Sequence, residues 1–326
     1  MSEDKQFFEG GEKTSRGDFL KFLGVMGIGT ACSAFLSSCT NNEQFPELIS
    51  KNKSPSNLRE GIVAVKSQNY PQAIEKGLEA IGGLSTLVKE GSIVVVKPNI
   101  GWDRTPEQGV NTNPTVVAEI VKQCYKCGAG EVRVFDNSNA NVKASYRLSG
   151  IPKAAELEGA KIITISGGHF KQVSVPDGQI VTEFPYCKHM EDADVVINVP
   201  TLKHHCITTL SLGLKNLMGL VGGTRSKWHA QIGYRLVDLW TVVRPQLTIL
   251  DATRMLTAHG PWGGSLKDVK WTNTIAFSTD PIAIDAYGAK LFGINPMLVK
   301  GIPEGAERGL GQADLSKVDI EEISIS

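Results

Sequence analysis

The side chains best suited to chemistry in this sequence are lysines and histidines that follow short apolar runs. The run Val195–Val199 leads into Lys203 and His205, and Lys215 lies within the apolar stretch 210–220, where an unpaired ammonium would be costly. Ammonium groups attract carboxylates and phosphates, and imidazole exchanges a proton near neutral pH. We therefore predict that Lys203, His205 and Lys215 are the catalytic residues of a site for a small anionic ligand.

Polar side chains also follow the other strand candidates. Ligands of open α/β sheets bind beyond the carboxyl ends of the strands, so these side chains should converge there. The additional residues that we predict to bind the ligand are Lys97, Asn99, Asn113, Asp136, Asn216, Asp251 and Asp280. The alternative for Asp136 and Asp280 is a structural role, because aspartate before Asn or Pro commonly forms turns and caps helices.

Cations are numerous around this proposed crevice, although the whole chain is neutral, with 34 Lys and Arg against 34 Asp and Glu. Gly222 and Gly223 precede Arg225, in a loop whose backbone N–H groups could contact an anion. The sequence contains neither a P-loop nor a dinucleotide-binding fingerprint, so the chemistry of that anion stays open. The neutral net charge argues against nucleic acid as a partner.

Three histidines are candidate metal ligands: His205, His229 and His259. Imidazole binds divalent transition metals, which would then be the cofactor, although the spacing of these residues matches no standard local motif. The alternative is that each is an ordinary hydrogen-bonded histidine. Cys124 and Cys127 form a CxxC pair inside a helical pattern, and we favour a core role for them over metal or redox chemistry.

The elements that must position these residues follow from the hydrophobic pattern. Short β-branched runs alternate with helical stretches, as is typical of parallel strands covered on both faces. The predicted fold is a three-layer α/β/α domain over residues 59–326 with a mostly parallel, Rossmann-like sheet. The predicted strands are 62–65, 93–96, 132–135, 162–165, 195–199, 247–250 and 274–277, and the predicted helices are 71–80, 114–127, 152–158, 209–219, 231–243 and 281–292.

Residues 1–39 are typical of a bacterial export signal. A twin-arginine-like motif, with Gly17 in place of the second arginine, precedes an apolar stretch at 22–36 and a lipobox-like Leu-Ser-Ser-Cys. Cys39 is therefore the predicted lipidation site, and the polar residues 40–58 are a predicted tether. We expect an exported lipoprotein of the cell envelope, facing the periplasm or the surface. The alternative is a cytoplasmic protein with an apolar amino terminus.

The order of motifs along the chain resembles the family named domain of unknown function 362. The most specific motifs are Ile197-Asn198-Val199-Pro200-Thr201-Leu202-Lys203-His204-His205 and Leu214-Lys215-Asn216-Leu217-Met218-Gly219. This resemblance covers nearly all of residues 61–300 and implies an α/β domain without an assigned reaction. Many members carry a ferredoxin-like cysteine run, which this sequence lacks, so no iron–sulfur cluster is expected.

The general layout also resembles the amino-terminal part of nickel-dependent lactate racemase, in which lysine and histidines hold a cofactor. That resemblance concerns the fold alone. Two functions remain open from the sequence. The first is an enzyme acting on a small anionic organic substrate, with or without a divalent metal. The second is a non-catalytic, membrane-anchored binding or accessory protein that uses the same crevice.

Overall fold

The computed structural model describes residues 58–325, in which a ten-stranded mixed sheet occupies the centre of the molecule. A second, smaller sheet consists of β5 and β6 alone. The strands are β1 (Ile62–Lys66), β2 (Ile93–Pro98), β3 (Glu131–Val134), β4 (Lys161–Ile162), β5 (Phe170–Ser174), β6 (Glu183–Cys187), β7 (Val195–Val199), β8 (Thr201–His205), β9 (Thr209–Ser211), β10 (Leu247–Leu256), β11 (Val269–Ser278) and β12 (Ile320–Ser324).

The order of strands in the main sheet is β12-β1-β11-β10-β7-β2-β3-β4, and β8 pairs with β10 and β9. The strands from β10 to β4 are all parallel to their neighbours, whereas β11 is antiparallel to both β1 and β10. The connection between β10 and β11 contains no α-helix, whereas a crossover between parallel strands usually does, so the antiparallel pairing of these two strands fits their connection. The prediction of a mostly parallel sheet is confirmed.

Helices cover both faces of this sheet. Prolines at the first turns of several helices fit their preference for a position whose N–H needs no partner. The helices are α1 (Tyr70–Ala80), α2 (Pro114–Lys126), α3 (Val142–Ser149), α4 (Ile151–Leu157), α5 (Gly213–Asn216), α6 (Ile232–Val243), α7 (Pro281–Phe292) and α8 (Ile302–Glu307).

Two hydrophobic cores lie on opposite faces of the sheet. Val95 packs in the core that contains Leu236 of α6, whereas its neighbour Val96 packs in the core that contains Ile120 of α2. Successive side chains of a strand point to opposite faces, so a strand buried on both sides must be apolar throughout. This arrangement confirms the predicted α/β/α layering.

The prediction of a helix over 209–219 is wrong. Thr209–Ser211 forms β9, antiparallel to β8, and α5 covers only Gly213–Asn216 before a 3₁₀ turn at Leu217–Leu220. The buried carboxylate of Asp285 accepts the backbone N–H groups of Gly213 and Leu214 and so fixes the start of this short helix. The predicted strand at 162–165 is also shorter, because β4 ends at Ile162.

No helix among residues 58–325 has the length and apolar character needed to cross a bilayer. The predicted leader, with Cys39 and nearly all of the predicted tether, lies outside the described residues.

Candidate functional site

A cavity of about 270 Å³ lies beyond the carboxyl ends of β2, β3 and β8 and beside α5. Ligands of α/β proteins bind at this edge of the sheet. The structure brings seven of the predicted site residues into the cavity lining: Asn99, Asp136, Lys203, His205, Lys215, Asn216 and His229.

A buried ion pair stands at the edge of this cavity. Nζ of Lys97, which is fully buried, lies 2.8 Å from Oδ1 of Asp136 and also donates to the carbonyl of Pro98. The second carboxylate oxygen accepts the backbone N–H of Ile100 at 2.6 Å. Burial lowers the pKa of Lys97, and the attraction of Asp136 opposes that shift. A buried pair with its remaining hydrogen-bonding groups satisfied is the arrangement that a protein interior tolerates.

Asn216 connects this ion pair to the neighbouring strands. Its Oδ1 accepts hydrogen bonds from Lys97 and Asn99, and its Nδ2 donates to Asn198 and to the carbonyl of Lys97. Gly219 follows in the 3₁₀ turn, where a Cβ would lie 1.7 Å from Oδ1 of Asp136. Only glycine fits there, so the motif around Asn216 serves to seat the turn against the ion pair.

Lys203 is buried on β8, and no carboxylate among residues 58–325 pairs with it. Its Nζ donates to Oδ1 of Asn99 at 2.8 Å and to the carbonyl of Val110, and both acceptors are neutral. Burial, together with repulsion from Lys215 and Lys97, lowers the pKa of Lys203 to about 7, against the attraction of Asp136. Near neutral pH this amine therefore exists in both protonation states.

Lys215 lines the cavity and has no hydrogen bond or ion pair within residues 58–325. Burial, followed by repulsion from Arg225, lowers its pKa to about 8. Asp251 and Asp280, two other predicted site residues, do not pair with it, because their carboxylates accept backbone N–H groups instead. Arg225 is also without a carboxylate and donates instead to the carbonyls of Asn137 and Ser138.

His205 and His229 lie close together in the cavity wall, with ring centroids 6.0 Å apart and nearly parallel planes. Nδ1 of His205 accepts the backbone N–H groups of Ile207 (3.1 Å) and Thr208 (3.3 Å), so the neutral ring carries its proton on Nε2. Burial and the surrounding cations lower the pKa of His205 to about 3, which keeps the ring neutral.

His229 adopts the opposite tautomer. Its Nδ1 lies 3.1 Å from the carbonyl of Ser226, which can only accept, so Nδ1 carries the proton and Nε2 keeps a lone pair. Burial and then Lys215 lower the pKa of His229, which favours this neutral form. The pair thus offers one N–H donor and one nitrogen acceptor. His204, adjacent to His205 on β8, instead accepts the backbone N–H of Gly260, as expected for side chains that alternate along a strand.

Two tryptophans that the sequence analysis did not single out also line the cavity. Trp102 and Trp262 meet edge to face with ring centroids 6.1 Å apart, and Trp262 is 48% exposed. They lie on loops 160 residues apart, and nothing local marks either one as part of a site. The only signal in the sequence was the position of Trp262 three residues after His259, a candidate metal ligand. Cys206 lines the cavity as well and is exposed.

Four predicted ligand-binding residues lie outside the cavity lining: Lys97, whose ion pair is described above, and Asn113, Asp251 and Asp280. Asn113 caps α2 by accepting the backbone N–H of Thr115, and its own N–H donates to Asp251 at 2.7 Å. The other oxygen of Asp251 accepts from the backbone and hydroxyl of Thr253. Asp280 caps α7 through the N–H groups of residues 282 and 283. The side chains of Asn113, Asp251 and Asp280 thus stabilise loops and helix starts through hydrogen bonds. For Asp280 this is the structural role that the sequence analysis gave as the alternative.

The structure does not bring the three candidate metal ligands together. His259 lies outside the cavity lining, and its Nδ1 is 2.8 Å from Oδ2 of Asp268. Among residues 58–325, no group of three or more His, Cys, Asp or Glu side chains could hold a metal ion. Burial raises the pKa of Cys124, in the core under α2, and of Cys127, which is partly buried directly after that helix; both thiols stay protonated, which fits a packing role.

The chain is similar to a named protein, to two solved structures and to a protein family. The thylakoid-associated protein sll1697 of Synechocystis sp. is 26% identical over 259 residues, which cover 76% of this chain and 78% of that protein. The apoprotein structure of lactate racemase from Thermoanaerobacterium thermosaccharolyticum aligns with a TM-score of 0.45 and 10% identity over 72% of this chain, and the match spans only 57% of the racemase chain. A protein from Thermotoga maritima aligns with a TM-score of 0.33 and 14% identity, over 55% of this chain and 50% of that one. The family profile described as Domain of unknown function (DUF362) matches residues 94–290, and the chain belongs to that family.

Proposed function

We propose that the cavity binds a small organic anion, a carboxylate or a phosphate, and that the protein is an enzyme acting on it. The observation that carries this proposal is a charge imbalance. Lys203, Lys215 and Arg225 line the cavity, whereas Asp136 is the one carboxylate that residues 58–325 contribute to its lining, and it is already paired with Lys97.

Lys203 is buried, and Lys215 and Arg225 are partly buried. Cations removed from water without opposite charges are costly to keep, so the protein gains stability when an anion joins them. The guanidinium of Arg225 stays charged throughout the physiological pH range and suits a carboxylate or a phosphate. The volume of about 270 Å³ is near the lower end of the range for small-ligand pockets, about 300–1,000 Å³. The edge-to-face tryptophans supply an apolar wall for the carbon part of the ligand.

The two histidines support catalysis rather than binding alone. The neutral ring of His205 carries a proton on Nε2, whereas Nε2 of His229 is unprotonated. One ring can therefore donate a proton to a bound molecule while the other accepts a proton from it. Neither ring adds a charge that simple anion binding would use. A purely storing or presenting site has no need of such a pair.

Calorimetric titration of the full chain at pH 7 tests the binding step, with glycolate and phosphate as anions and glycolamide as the neutral control. We expect both anions to bind and glycolamide not to bind. Lys215→Met should weaken glycolate binding at least about tenfold, or about 1.4 kcal/mol, whereas Lys300→Met, which removes an exposed lysine, should leave it unchanged. Equal binding of glycolate and glycolamide, or no effect of Lys215→Met, would refute the anion site.

The location of the protein is a second part of the proposal, supported by the motifs of residues 1–39. We propose that the chain is exported and anchored to a membrane of the cell envelope through lipid on Cys39. Metabolic labelling with radioactive palmitate should mark the wild-type chain and leave Cys39→Ser unlabelled. A labelled Cys39→Ser variant, or a wild-type chain found only in the cytoplasm, would contradict it.

A further inference from the structure

We propose that Lys215 forms an imine with a carbonyl group of the bound anion, which makes the substrate a 2-oxo acid or a similar anion with a carbonyl next to its charged group. This inference rests on the proposed anion site and names the class of molecule that the site takes.

The hydrogen bonding of the three lysines singles out Lys215. Lys97 donates to Asp136 and a carbonyl, and Lys203 donates to Asn99 and a carbonyl, so the protein already uses both of these amines. Lys215 faces the same cavity without a partner among the described residues. Its amine is therefore the one that a ligand can approach without displacing a hydrogen bond.

The backbone beneath Lys215 is held in place. The carboxylate of Asp285, buried in α7, accepts the N–H groups of Gly213 at 2.7 Å and Leu214 at 3.0 Å. A Cβ on Gly213 would lie 2.7 Å from that carboxylate, so the helix start has little room to shift. A nucleophile gains most when its supporting backbone is fixed before the ligand arrives.

The charges around Lys215 favour a reactive amine. The groups facing it are Arg225, Lys203, His205, His229 and Cys206. Burial and the guanidinium of Arg225 hold its pKa at about 8. At pH 7.5 about one quarter of such amines are unprotonated, against roughly one in a thousand for an ordinary lysine. Arg225 remains charged and can hold the carboxylate while the free amine meets the carbonyl carbon.

The reaction is balanced without any further reagent. The lone pair of the neutral Nζ attacks the carbonyl carbon, a C–N bond forms, and the π electrons of the carbonyl move to its oxygen. Nε2–H of His205 can donate a hydrogen bond to that oxygen, while Nε2 of His229 takes one proton from the nitrogen and passes it to the oxygen, which gives a hydroxyl group. The C–O bond then breaks, and the remaining hydrogen of the nitrogen passes by the same route to the departing oxygen, which leaves as water with the two hydrogens that the amine has lost. An amine and a carbonyl have become an imine and water.

Reductive trapping of the full-length wild-type chain tests this inference. The chain is incubated with glyoxylate and sodium cyanoborohydride at pH 7.5, and the modified lysines are identified by peptide mass spectrometry over time. We expect Lys215 to be modified at least about tenfold faster than the exposed Lys300, since the larger unprotonated fraction is partly offset by the lower nucleophilicity of a less basic amine. Excess glycolate, which has a hydroxyl in place of the carbonyl, should slow the modification of Lys215 and leave Lys300 unaffected.

Lys215→Arg separates this inference from the binding proposal. It keeps the positive charge and lacks a nucleophilic amine, so glycolate should still bind within a few-fold while fast trapping disappears. If glycolate binds to the wild type but Lys215 reacts no faster than Lys300, the imine is refuted and the anion site stands. If neither glycolate nor glyoxylate binds, the proposed function fails and the imine with it. The trapping rate on the wild-type chain decides the matter even if the variant does not fold.

Discussion

Two groups of charged residues that the sequence analysis placed at the proposed crevice use their polar atoms in opposite ways. The carboxylate oxygens of Asp251 and Asp280 accept hydrogen bonds from backbone N–H groups and, for Asp251, from a hydroxyl group. Lys203, Lys215 and Arg225 face the cavity with neutral acceptors or with no partner among the described residues. The aspartate oxygens therefore have hydrogen-bond donors within the chain, whereas the three cations have no carboxylate partner among the described residues.

The available hydrogen-bond partners distinguish structural residues from ligand-binding residues at this edge of the sheet. Helix starts and turns are rich in unpaired N–H groups, so an aspartate there finds donors in its own backbone. Lysine and arginine at the same edge find only carbonyl oxygens, which do not neutralise them. A cation at the end of a strand is therefore a stronger indication of a ligand than an aspartate is.

The largest expected effect concerns the buried ion pair of Lys97 and Asp136 at the edge of the cavity. Asp136→Asn leaves the fully buried ammonium of Lys97 without an opposite charge. We expect the free energy of unfolding to fall by about 3–5 kcal/mol, measured by urea denaturation. Glu79→Gln, which breaks the exposed pair with Lys76, should change it by less than about 1 kcal/mol. Equal effects of the two substitutions would show that burial does not set the strength of this pair.

The pH dependence of anion binding tests whether the charges of Lys203, Lys215 and Arg225 bind the anion. The folded-state pKa of Lys215, about 8, lies below the ordinary value, so its charge is present below that pH and is lost as the pH rises through it. Glycolate affinity, measured by calorimetry, should fall about tenfold between pH 7 and pH 9. Lys203, with a pKa of about 7, adds to the fall, whereas Arg225 stays charged.

The matched variant for this measurement is Lys215→Arg. A guanidinium keeps its charge at pH 9, so the decrease in affinity should become clearly smaller. An affinity that rises with pH, or the same decrease in both proteins, would exclude Lys215 as the group responsible.

The smallest expected effect concerns the aspartates. Asp280→Ala removes the cap of α7 and should lower the free energy of unfolding by about 1 kcal/mol. Glycolate affinity should stay unchanged, because Asp280 lies outside the cavity lining. The opposite pattern, unchanged stability with a tenfold loss of affinity, would place Asp280 in the binding site and remove the distinction between the two groups.

Most of the fold could be predicted because the strands carry local signals. Continuous apolar runs such as 93–96 and 195–199 indicate strands buried on both faces, and the structure confirms both within β2 and β7. The stretch 209–219 could not be assigned correctly from its pattern. Its apolar residues suit a buried helix and a buried strand equally, and the choice depends on pairing with β8 and on the distant carboxylate of Asp285.

The candidate site was predictable in part for a similar reason. Strand-end lysines and histidines can be found by position alone, and Lys203, His205 and Lys215 do meet in one cavity. Trp102 and Trp262 could not be found, because they are 160 residues apart in the chain and meet only in the folded structure.

By itself, the sequence determined the alternation of apolar runs and helical stretches, and with it the layered α/β fold. It also placed cations and imidazoles after the strands, because the carboxyl ends of parallel strands share one edge. Only the tertiary structure decided which polar residues are satisfied by the chain and which face the cavity. Hydrogen bonds form between groups that are close in space, and these can be far apart in the chain. Gly213 and Asp285 are 72 residues apart, and hydrophobic periodicity in the sequence does not indicate that they pair.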